Sequence, residues 1–364
     1  MLKSFLPDDE PCNVLPNEFV DWYQITQTND VEKINTLINK LEYKDIDYDK
    51  YDIKTLKLIY VTLVFITHSY IWRNKGEIKK LPETISLPFL NISKLLGIEP
   101  VLTHAVVDLW NWKLIDKKGK IEVENMELIY SFTNDISEKY FFLSMTEIEA
   151  YGKDIIPQLC ELPSLIKNYD IKKPTQNIIN ILNNFSIVLE KIVKVFEKIR
   201  KVNPEFFFNV LRIFLNGWDK LGGLEFEGFT NIKYHCMGGS AAQSSLIQFF
   251  DIVLDVQHNT NTTGKYLKNI RLYMPREHRE FLEEQERKFA YSSLWKFIFK
   301  FGNNELKQMY NKCIDKLCDF RNAHRGITVD YIKKFVNDGK GTGGTDFSIF
   351  LEDCHIETIK NKIY

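Results

Sequence analysis

The 364-residue sequence predicts an all-α protein, with a smaller N-terminal domain over residues 1–125 and a larger helical domain over residues 126–364. Three stretches carry that expectation. From Leu306 to Tyr331 apolar residues recur in steps of three and four, at Leu306, Tyr310, Cys313, Leu317, Phe320, Ile327 and Tyr331, which marks one face of a helix. From Ile178 to Ile199 the same spacing repeats and stops short of Pro204. From Leu56 to Trp72 nearly every residue is apolar, apart from Lys57 and His68, as expected of a helix buried on all sides. Its length, with a lysine near one end, favours a core helix over a membrane span.

Composition narrows the classes of function. Basic and acidic residues number 48 and 49, leaving a net charge of −1, so no whole-molecule field draws in nucleic acid or an anionic membrane. The six cysteines form no CxxC pair and read as reduced thiols of a cytoplasmic protein. Acidic residues and prolines in MLKSFLPDDEPCNVLP interrupt the apolar core that a secretory signal needs. The 26 phenylalanines suit a flat aromatic cavity or an ordinary helical core equally well.

Taken in order, residues 1–30 hold Pro7, Pro11 and Pro16 and read as an extended arm, followed by a helix from about Asp30 to Leu41. Pro82, Pro88 and Pro100 divide the next stretch. A helix from about Val101 to Trp112 would carry Val101, Ala105 and Leu109 on one face, with His104 one turn before Asp108. Lys113 to Glu124 reads as a small hairpin around Lys118-Gly119, and the domain boundary falls just after it. In FFFNVLRIFLNGW, residues 206–218, Phe208, Leu211, Arg212 and Leu215 share a helical face. A guanidinium among large apolar groups needs an anion within reach, either a structural carboxylate or a ligand. Gly238-Gly239 allows close backbone approach, and Ser240 suits an N-cap. The glycine-rich Asp338–Asp346 stretch lacks the GxxxxGK[ST] order of a phosphate loop and reads as a flexible lid.

His324 occupies the missing position in the stripe of the Leu306–Tyr331 helix. An imidazole there needs a carbonyl partner or a metal, since an unpaired buried polar group costs about 1–3 kcal/mol. Arg321 precedes it by one turn and Arg325 follows it directly. His68 reads as a satisfied core histidine, and His235, His258 and His355 have no zinc-type spacing.

The wording FRNAHRGITVDYI followed by GKGTGGTDFSIFLED resembles the C-terminal part of indoleamine 2,3-dioxygenases, haem enzymes that open the indole ring of tryptophan. The blocks FFFNVLRIFLNGW and GGSAAQSSLIQFFDIVLDV extend the resemblance, which runs from about residue 85 to the end. It implies haem b held between the two domains, with His324 as the ligand of the iron. It implies that Arg212 forks onto the substrate carboxylate, that Phe141, Phe207 and Phe208 line the pocket, and that Thr342 lies in a loop closing over the substrate. Ser240 and Ala241 match small residues of the haem pocket, and Asp251 matches an acid that pairs with Arg321.

Two positions depart from the pattern. The family usually has tyrosine where His104 stands; the related tryptophan 2,3-dioxygenases hold the indole N–H with a histidine, so His104 is either that group or a plain histidine. The small hydroxyl residue near the oxygen site becomes Met145 without a gap and Ser144 with a one-residue deletion. The resemblance thus implies a monomeric dioxygenase taking L-tryptophan or a related indole, O2 and an electron donor for haem reduction, and yielding N-formylkynurenine at the head of the kynurenine pathway. Ser144/Met145 and His104 leave open a haem-binding homologue with an altered indole substrate, monooxygenase activity or a sensor role.

Overall fold

A computed structural model describes residues 2–170, 175–228, 233–259, 262–335, 341–342 and 346–364. It is all-α in architecture. The helices are α1 (Val20–Thr26), α2 (Val31–Asn39), α3 (Ile53–Arg73), α4 (Glu83–Leu96), α5 (Ile136–Leu159), α6 (Leu162–Lys167), α7 (Gln176–Ile199), α8 (Pro204–Phe206), α9 (Arg212–Phe214), α10 (Ser245–Val253), α11 (Thr263–Ile270), α12 (Arg276–Tyr291), α13 (Leu294–Phe301), α14 (Asn304–Thr328) and α15 (Phe347–Ile359). Among the described residues the strands are short: β1 (Lys80–Leu81), β2 (Trp112–Leu114), β3 (Met126–Leu128), β4 (Leu224–Phe226) and β5 (Lys233–Tyr234).

The three stretches that predict the fold all form helices, and two of them pack together. The apolar stripes of α14 and α7 bury against each other, and α7 also packs on α5. Cys313 Sγ of α14 donates across that joint to the Leu182 carbonyl of α7 at 3.1 Å. Helix α3 is long and apolar enough to cross a membrane by length and composition, yet 78% of its most apolar window is buried within the fold. His68, in its middle, is satisfied twice: Nδ1 lies 2.8 Å from the Phe214 carbonyl and Nε2 accepts from Leu102 N–H at 2.9 Å. Burial pushes that imidazole down to about 3, so it stays neutral in the core.

Helix starts follow side-chain chemistry. Asp30, Asp52, Asp135 and Asn303 each accept a backbone N–H of the first turn of α2, α3, α5 and α14. The N-terminal arm differs from expectation in containing α1, whose Trp22 and Ile25 are buried. The expected helix over 101–112 also differs. Only a single π-turn, Ala105–Leu109, forms there. Asn111 then redirects the chain: its side chain donates to the Tyr130 carbonyl and accepts from Tyr130 N–H, at 2.9 and 2.8 Å, pulling the next residues into the β2–β3 hairpin. That hairpin pairs Trp112 with Leu128 and Leu114 with Met126, flanking the expected turn, where Gly119 N–H donates to the Asp116 carbonyl. A second sheet places β4 between a parallel β1 and an antiparallel β5.

Candidate active site

Helices α5, α7, α14 and α15, the 239–244 segment and the chain around Phe207–Leu215 enclose a cavity of about 1260 Å³, its open mouth included. Three π-turns border it. They are Ala105–Leu109 beside His104, Phe207–Leu211 beside Arg212, and Val329–Lys333, which carries Tyr331 and Ile332. A π-turn inserts one residue into helical spacing and re-aims the side chains around it. Phe207 and Arg212, five apart, thereby both reach the cavity wall.

His324 lines this cavity from α14, between the rings of Phe320 and Phe196, with centroids 6.3 and 6.4 Å away. No donor or acceptor among the described residues meets either ring nitrogen; Thr328 Oγ1 donates instead to the backbone carbonyls of His324 and Arg325, at 2.9 and 3.1 Å. Burial, aided by the Arg321 cation, pushes its imidazole down to about 4, so the ring is neutral and keeps a lone pair. One turn earlier Arg321 turns away from the cavity onto Asp251. Asp251 also accepts from His258 Nε2 at 3.0 Å, and His258 Nδ1 lies 2.7 Å from Glu357 of α15. Burial works against the Asp251 charge, but Arg321 and His258 outweigh it and hold the carboxyl below its ordinary range. The sequence spacing of His258 offered no hint of this bridge.

Phe141 and Phe207 meet at 4.7 Å between ring centroids, and both line the cavity. Arg212 lines it too, its guanidinium 5.4 Å from the ring of Phe208. Phe208 itself does not reach the cavity; it stacks on Phe335 at 4.9 Å and supports Arg212 from behind. Met145 lines the cavity, whereas Ser144 is wholly buried outside the wall, its hydroxyl without a partner among the described residues. Helix α5 runs unbroken from Phe141 through this point, so residues four apart share a face and Met145 follows Phe141 into the wall.

Ser240, Ala241 and Ala242 form a wall of small side chains. Ser240 caps the short Ala241–Gln243 turn and not α10, which begins at Ser245. The glycines before it serve the chain's own packing: a Cβ on Gly238 would stand 2.1 Å from the Leu215 carbonyl oxygen. Thr342 lines the cavity and ties down the same segment, donating through Oγ1 to the Gly239 carbonyl at 2.6 Å. The rest of the expected lid, residues 338–340 and 343–345, lies outside the described residues.

His104 departs most from expectation. Its Nδ1 lies 2.6 Å from Asp108 and its Nε2 2.9 Å from Glu149. Burial opposes its charge, but the two carboxylates more than offset burial and raise the imidazole to about 10. It is an imidazolium with both N–H groups committed. No lone pair remains to accept an indole N–H, so His104 does not fill the role that a distal histidine would. Glu149 and Ser244, which complete the cluster with a 2.6 Å hydrogen bond, carried no sequence signal.

The sequence matches the indoleamine 2,3-dioxygenase family over residues 2–361. The chain belongs to that family. It is 33% identical to indoleamine 2,3-dioxygenase 1 of Mus musculus over 328 residues, covering 84% of this chain and 79% of the relative. It is 28% identical to the Saccharomyces cerevisiae indoleamine 2,3-dioxygenase over 417 residues, covering 98% and 90%. With indoleamine 2,3-dioxygenase 2 of Homo sapiens the identity is 28% over 389 residues, covering 99% and 92%. Membership makes the protein a dioxygenase-family oxidoreductase, and the cavity is the candidate place for its chemistry.

Proposed function

We propose that the protein is a haem-dependent dioxygenase that cleaves the indole 2,3 double bond of L-tryptophan or a close indole relative with O2. The observation that carries this reading is His324: a neutral imidazole in a cavity wall, without a polar partner among the described residues, on a helix braced from behind by Arg321–Asp251. The surroundings fit a flat macrocycle, with small residues at Ser240–Ala242 and the rings of Phe141, Phe196, Phe207 and Phe320 in the same wall. His324 would hold the iron, and haem when bound supplies the oxygen chemistry.

The chain's own task is to bind and orient. Arg212 holds the amino-acid carboxylate by charge-assisted hydrogen bonds that fix its orientation. Phe141 and Phe207 exclude water and pack on the indole. Thr342 pins Gly239, and with it the small-residue wall.

Met145 in the wall where a small hydroxyl residue was expected keeps a second reading in view, an enzyme of the same family acting on a different indole. One experiment addresses both. The purified protein is reconstituted with haem, reduced, and mixed with L-tryptophan and oxygen while the absorption spectrum and product mass are followed. A histidine-ligated spectrum with addition of two oxygen atoms supports cleavage. Addition of one oxygen supports a monooxygenase, and failure to bind haem removes His324 from its role.

A further inference from the structure

The cavity contains a charged cluster that neither iron ligation nor carboxylate recognition uses. Glu149 stands in its wall with a side chain only 1% exposed. Its Oε1 is fully engaged, facing His104 Nε2 at 2.9 Å and accepting from Ser244 Oγ at 2.6 Å. Its Oε2 is buried and meets no donor among the described residues. Two carboxyl groups, of Asp108 and Glu149, flank the one imidazole, so the cluster holds more acceptor oxygens than the ring has N–H groups to satisfy. A buried carboxylate oxygen left unpaired is expensive, and because Glu149 belongs to the cavity wall, a bound ligand is the group placed to satisfy it.

We propose that Glu149 is a specificity-determining residue whose Oε2 accepts a hydrogen bond from an N–H group of the bound ligand. His104, itself fixed by Asp108, is the positioning residue that holds the other oxygen in place. This rests on the proposed function for the class of ligand. An indole amino acid has two kinds of N–H, the ring nitrogen and the α-ammonium, and either supplies the same chemistry. A ligand lacking that donor would leave Oε2 unpaired and be rejected, as buried polar groups reject analogues that cannot satisfy them.

The test is calorimetric titration of the haem-loaded protein with L-tryptophan, 1-methyl-L-tryptophan, which lacks the ring N–H, and indole-3-propionate, which lacks the ammonium. Wild type is compared with Glu149→Gln, which keeps the shape and removes the charge. The expected result is an affinity loss of about tenfold in the variant for every ligand that carries the donor, and none for the ligand that lacks it. A loss that spares 1-methyl-L-tryptophan names the ring N–H; one that spares indole-3-propionate names the ammonium. Equal affinities in wild type and variant for all three, or an equal loss for all three, overturn the proposal. If Glu149→Gln fails to load haem, Ser244→Ala, which removes only the hydroxyl on Oε1, is read for the same contrast, and a uniform response there overturns it. His104→Phe is expected to reproduce the ligand ranking of Glu149→Gln, which a merely structural role would not. Failure of the wild type to bind any of the three ligands would instead remove the functional reading on which the proposal stands.

Discussion

His104 and His324 face one cavity from two helical segments, and their surroundings drive them to opposite states. His104 lies between two buried carboxylates and is held charged, its imidazole raised to about 10. His324 lies beside the rings of Phe196 and Phe320 with the Arg321 cation nearby, and its imidazole falls to about 4. Burial disfavours the charge in both cases. The difference lies in which charges stand within reach, a choice made by Asp108 and Glu149 on one side and Arg321 on the other. A histidine in a cavity therefore tells little until its neighbours are known. The neutral one can give a lone pair to a metal, and the charged one can only donate.

The largest effect should come from breaking the neutral half. His324→Ala is expected to weaken haem affinity more than about 100-fold, beyond what loss of a supporting partner costs, read by titration of the Soret band. Unchanged occupancy and spectrum would reject His324 as the ligand. The brace behind it comes next. Asp251→Asn leaves Arg321 buried without its counter-charge and is expected to cost about 3–5 kcal/mol of stability in urea unfolding. A loss well under 1 kcal/mol would show that the α14 helix does not depend on this pair.

Arg212→Ala should weaken L-tryptophan binding by about 1.5–3 kcal/mol while haem is retained, since it removes a charge-assisted contact to the carboxylate. Unaltered affinity would move the carboxylate elsewhere. The smallest effect sharpens the charged half. Because the folded pKa of His104 lies above its unfolded value of 6.5, its contribution to stability is complete below pH 6.5 and is lost as pH rises toward about 10. The melting temperature of the apo protein should fall across that window, and His104→Phe should flatten the fall. An equal slope in both proteins would mean that the imidazolium contributes nothing to folding.

Much of this was legible in the residues. Periodicity located α3, α7 and α14, because a stripe repeating every three to four residues can be buried only as a helix. The gap in the α14 stripe picked out His324, and the guanidinium in FFFNVLRIFLNGW picked out Arg212; both line the cavity. Resemblance supplied the Arg321–Asp251 pair, which forms. The π-turns were not legible. A single π-turn stands where the Val101–Trp112 helix was expected, and another brings Phe207 into the cavity wall with Arg212 while Phe208 stays behind it.

By itself, then, the sequence determined what each segment could be: which faces are apolar, where helices start on Asp or Asn caps, and which polar side chains stand where the core should be. Tertiary structure alone decided what those polar side chains meet. Glu149 reaches His104 from 45 residues away and Ser244 reaches Glu149 from 95. No local pattern encodes such meetings. The physical reason is that backbone periodicity acts over a turn or two, while charge, desolvation and hydrogen bonding act across whatever space packing brings together.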